Sequence, residues 1–162
     1  TICKRAAIDI RTVSTTGNLL VESANGVTVK ADCLLETCSF DDADMLVMPG
    51  GMPGASNLRD HEGLQAVIRS HYEKGKMLAA ICAAPIVYGA MGLLRGVRAT
   101  CYPGFEGELE GAVVTGNTTE TDGQFITGKG PGTSLHFGFA IVEHLCGRAV
   151  LEEVKRNMMW PK

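Results

Sequence analysis

A single thiol stands where an apolar run meets a helix-like run, at Cys82 in the segment KMLAAICAAPIVYGA. Residues 77–81 predict a buried strand, and residues 83–91 predict a helix with Pro85 tolerated in its first turn. A cysteine at such a junction lies on a nucleophile elbow, at the sheet edge where open α/β folds bind ligands. The start of a helix favours negative charge and therefore the thiolate. Ala80, Ala83 and Ala84 are small enough for a tight turn. The same pattern also suits a buried cysteine acting as a small hydrophobe.

A second strand-and-turn, LVMPGGMPGASNL, precedes another helix. Its amides would face the same crevice, and the Gly51 and Ala83 N–H groups would together form an oxyanion hole. The alternative is an ordinary glycine turn; a phosphate loop would need a following Gly-Lys-Ser/Thr. In the third segment, TGKGPGTSLHFGFAIVEHL, residues 128–132 make a turn and Thr133 or Ser134 caps a helix. His61, His71, His136 and His144 read as solvated or capping side chains. Cys33 and Cys38 read as packing residues, with redox activity as the other possibility. Cys101 follows a strand end.

These turns need a scaffold, and the periodicity supplies one. Residues 8–13 alternate as a strand, and 19–21 with 27–29 form a hairpin around Asn25-Gly26. The apolar MLVM at 45–48 predicts a central parallel strand. Helices are expected over 57–73, 133–145 and 148–157, with strands at 97–100 and 124–127. On the helix at 133–145, Leu135, Phe139, Val142 and Cys146 form one stripe. Met158, Met159 and Trp160 are expected to pack at the carboxyl end or at a subunit contact. Alternating strands and helices make this an α/β protein, a mostly parallel sheet sandwiched by helices. Residues 1–162 read as one domain. Residues 1–7 resemble the end of a helix, so an opening strand and most of one helix are expected to be absent from the chain.

Composition narrows the function. The net charge is −3 with no basic run, which excludes the electrostatic footprint of a nucleic-acid binder and disfavours an anionic membrane. Residues 77–94 lack charge but contain Pro85, Gly89 and Gly92, so they read as strand, turn and helix and not as a membrane span. The six cysteines include no Cys-x-x-Cys pair, so no metal site is expected. With no signal-peptide pattern, reduced cytoplasmic thiols are expected.

MPGG, AAICAAP and GKGPGTS…FAIVE, in this order, resemble the ThiJ branch of the ThiJ/PfpI superfamily from about Lys4 to the end of the chain. The resemblance implies a flavodoxin-like fold and a homodimer. It implies Cys82 as nucleophile, an oxyanion hole from Gly51 and Ala83, and a pocket lined by Gly50, Gly130 and Pro131. It implies a cofactor-independent reaction on a small aldehyde, of glyoxalase III or deglycase type, or protection against oxidants through oxidation of Cys82. Three departures bear on this. The family glutamate that bonds the cysteine has no counterpart here. PfpI-type members carry histidine after the cysteine, where this chain has Ala83, which argues against a protease. Some glyoxalase-active members carry a pocket histidine where this chain has Gly111.

Overall fold

The computed structural model describes residues 1–161. A short helix, α1 (Ile2–Arg5), opens the chain. β1 (Val13–Ser14) pairs in parallel with β4 (Cys33–Leu34), so only the end of the expected strand at 8–13 enters a ladder. Between them, β2 (Leu20–Glu22) and β3 (Thr28–Lys30) form the expected antiparallel hairpin.

The main sheet contains β5 (Met45–Met48), β6 (Met77–Ile81), β9 (Thr119–Asp122) and β10 (Phe125–Gly128), in the order β5-β6-β10-β9. The first three are parallel, and β9 returns antiparallel to β10. β5 is therefore at the end of this order and not central. Val47 is 46% exposed, because β5 has one strand neighbour in the four-stranded sheet. β7 (Arg98–Ala99) and β8 (Val113–Val114) form a small parallel pair; β8 and β9 carry too few apolar residues to be read from periodicity.

Side chains alternate across the sheet, as strand geometry demands. Leu78, Ala80 and Phe125 join one core with Leu64, Ile68, Ile86, Val87 and Tyr88. Met77, Ala79 and Ile126 join another with Phe137 and Ile141. The helices supplying these residues are α3 (Glu62–Glu73), α4 (Pro85–Ala90) and α5 (Ser134–Cys146). Both faces of the sheet are thus covered, which explains the uninterrupted apolar run of β6. The buried Tyr88 hydroxyl donates to the Ala79 carbonyl, 3.0 Å, and ties α4 beneath the strand leading to Cys82.

Several expected elements change in detail. The helix expected over 57–73 is two helices, α2 (Gly54–Arg59) and α3. The break falls at His61, whose Nδ1 accepts the Leu64 N–H and starts α3 anew. His71 is buried and not solvated; burial pushes its pKa below the ordinary imidazole value, with Lys76 adding to the effect. On α5, Leu135 is exposed, and the buried residues are Phe137, Gly138, Phe139, Ile141 and Val142. The last helix, α6 (Arg148–Asn157), has the expected bounds. Met158 and Trp160 pack near Ile2 and Phe139, but Met159 points outward, 91% exposed. Among the described residues no helix is long and apolar enough to cross a membrane.

Candidate active site at the Cys82 turn

Cys82 follows directly on β6, with φ at 66°. This left-handed conformation is costly for a residue with a Cβ and persists only where the surroundings enforce it. Two hydrogen bonds do so. The Cys82 N–H donates to the Gly128 carbonyl at the end of β10, 2.9 Å, and the Tyr102 N–H donates to the Cys82 carbonyl, 2.8 Å. The side chain is half-buried. α4 begins at Pro85, two residues later than expected, because Ala83 and Ala84 still belong to the turn.

The second turn lies against the first. A Cβ built on Gly50 would stand 2.5 Å from the Cys82 Cβ, 2.6 Å from the Ile81 carbonyl oxygen and 3.2 Å from the Ala83 nitrogen. Only glycine permits that approach. Gly51 follows with φ at 98°. Among the described residues, neither the Gly51 nor the Ala83 N–H donates to another protein group. Two backbone N–H groups, one on each of the turns that meet at Cys82, are therefore without a protein acceptor.

The third turn arrives through β10. Gly130 lies against Tyr102, whose Cδ2 would be 3.2 Å from a Cβ at that position. Pro131 is exposed, next to Gly130. Thr133 is the N-cap residue of α5 but makes no side-chain cap bond to it; the Thr133 and Ser134 hydroxyls donate to the carbonyls of Gly130 and Pro131, 2.9 and 2.8 Å, and hold this turn. All three segments thus meet around Cys82. Tyr102, half-exposed, is the residue that sequence reasoning missed; an aromatic between Cys101 and a Pro-Gly turn was its only signal.

Other groups stay apart from this chemistry. His136 stacks edge-on against Trp160 with centroids 5.3 Å apart, and His144 lines a hollow of about 630 Å³ with Asp44, Met77 and Gln124. That hollow opens where β6 begins, at the end of the strand away from Cys82. Among the described residues no carboxylate hydrogen-bonds to the Cys82 sulfur, and no group of three His, Cys, Asp or Glu side chains is placed to hold a metal ion.

Cys101 is buried near Cys82, and burial, with Glu106 adding to it, pushes its thiol up to about 11. At neutral pH its thiolate fraction is then about two orders of magnitude below that of a free cysteine. Peptide mapping after iodoacetamide should find Cys101 the last thiol modified, with its rate rising only towards pH 11. Rapid labelling at pH 7 would show that the site is open to solvent.

A parallel α/β sheet with a strained cysteine between strand and helix defines the class: a nucleophile-elbow protein with a flavodoxin-like fold. The DJ-1/PfpI family model matches residues 1–144, and the chain belongs to that family. It is similar to the DJ-1 homolog B of Arabidopsis thaliana, 34% identical over 94% of this chain. It spans only 35% of that relative's length. A deglycase from Pyrococcus abyssi is 31% identical over 70% of this chain and 69% of its own. Oxidized DJ-1 from Toxoplasma gondii superimposes with a TM-score of 0.93 at 29% identity, covering 99% of this chain and 88% of that one.

Proposed function

We propose that this chain is a cofactor-independent enzyme that acts on small α-oxoaldehydes such as methylglyoxal through Cys82. The observation that carries this reading is the positive φ of Cys82 beside the two unused amides of Gly51 and Ala83. The relative from Pyrococcus abyssi described as a deglycase favours an enzymatic role.

In this reading the Cys82 thiolate attacks the aldehyde carbon. Charge develops on the aldehyde oxygen, and the Gly51 and Ala83 amides receive it. One such donor is worth about 2.7–4 kcal/mol in a transition state. The hemithioacetal then isomerises by moving a proton from the former aldehyde carbon to the neighbouring carbon. Water hydrolyses the resulting thioester, and lactate leaves. The isomerisation takes a base, a role for which the family resemblance implies a glutamate. Gly50, Gly130 and Pro131 line the pocket. The test is incubation with methylglyoxal and enzymatic assay of lactate. Lactate should accumulate beyond one equivalent per chain; none above the buffer control sinks the reading.

A second reading, protection through oxidation of Cys82, is favoured by Gly111. Its φ is 76°, and a Cβ there would lie 2.9 Å from the Arg95 Cγ, so this backbone disfavours a histidine at that position. The same amides would hold a sulfinate on Cys82. Under graded peroxide Cys82 should gain oxygen before any other cysteine; prior oxygenation elsewhere removes this reading.

A further inference from the structure

Cys33 and Cys38 do more than pack. Cys33 lies in the short strand β4, and a single 3-10 turn, Leu35–Thr37, folds the chain back. The Cys33 Sγ–H donates to the Cys38 Sγ at 2.8 Å. A disulfide needs about 2.05 Å, so the sulfurs must close by less than an ångström. Both thiols are half-buried, within reach of a small oxidant. The frame around them is held: β4 pairs with β1, the Asp32 carboxylate accepts the Thr12 N–H and hydroxyl at 2.7 Å each, and Leu35 is buried in the core. The Arg11 guanidinium pairs with Asp42.

We propose that Cys33 and Cys38 form a second redox site, a dithiol that peroxides oxidise to an internal disulfide, independent of Cys82. Cys38 is the attacking sulfur, because it accepts the hydrogen bond from Cys33. Giving that hydrogen bond is the main cause holding the Cys33 thiol above its ordinary pKa, so Cys33 keeps its proton until the second step. Cys38 gives up its proton and attacks one peroxide oxygen. The O–O bond breaks, hydroxide leaves and takes up that proton as water, and Cys38 becomes a sulfenic acid. Cys33 then attacks the Cys38 sulfur. The S–O bond breaks, hydroxide leaves with the Cys33 proton as a second water, and the S–S bond forms. Two thiols lose two electrons, and one peroxide is reduced to two waters. A cellular dithiol reductant would reverse the change.

The experiment uses the full chain, reduced, exposed to a small excess of hydrogen peroxide, then iodoacetamide and trypsin. Lys30 and Arg59 bracket both thiols with no basic residue between, so residues 31–59 emerge as one peptide. That peptide should be two hydrogens lighter and unalkylated, and reductant should restore both alkylation sites. Cys82→Ser should behave identically, so failure here and failure of the Cys82 reading are distinguishable. Cys33→Ser should leave a Cys38 sulfenic acid that dimedone traps. Full alkylation of residues 31–59 after peroxide, or direct passage of Cys38 to sulfinic acid in the unmodified chain, would overturn the proposal.

Discussion

Replacing Cys82 by serine is expected to abolish lactate formation from methylglyoxal, with turnover falling at least about 10³-fold. A serine hydroxyl is a weak nucleophile unless a base activates it, and no side chain among the described residues hydrogen-bonds to this position. The fold should survive. The hydrogen bonds that pin the turn, from Cys82 N–H to Gly128 and from Tyr102 N–H to the Cys82 carbonyl, are both made by backbone. Serine also has nearly the shape of cysteine, so stability should change by no more than about 1 kcal/mol. Lactate assay and thermal unfolding of the same preparation separate the two effects. A folded serine variant that still makes lactate would remove Cys82 from the mechanism.

Gly50→Ala should damage site and fold together. The added methyl would meet the Cys82 Cβ at 2.5 Å and the Ile81 carbonyl oxygen at 2.6 Å. Real Cβ contacts are not that short, and the oxygen is backbone locked at the end of β6. Either the β5 turn or the elbow must move. We expect a loss of about 2–4 kcal/mol in urea unfolding, in line with overpacked cores. Displacing the thiol from the amides should lower turnover by about 10²-fold even where the protein remains folded. Gly54→Ala, four residues on, is the control: a Cβ there meets nothing within 4 Å. If both variants match the parent, the close approach of the two turns is not what holds the site.

The resemblance was legible because its motifs sit on local geometry. A strand, a tight turn and a helix leave a contiguous signature in AAICAAP, and GPGT leaves another, so Cys82, Gly51 and Ala83 could be named without coordinates. Strand β6 and helix α6 were legible for a similar reason: an uninterrupted apolar run and a 3.6-residue period are written within one segment.

What the sequence determined by itself is therefore the class of fold, the turn that carries the thiol and the small residues that permit that turn. The tertiary structure decided which face of each helix meets the sheet. His71 is buried and Leu135 exposed, although local pattern places them the other way, because burial depends on the docking of an element and not on its own periodicity. It also decided the meetings between distant or differently oriented residues: Tyr102 against Gly130, and the Cys33 sulfur on that of Cys38. Contacts of this kind depend on where separate elements come to rest, and only packing over the whole chain sets those positions.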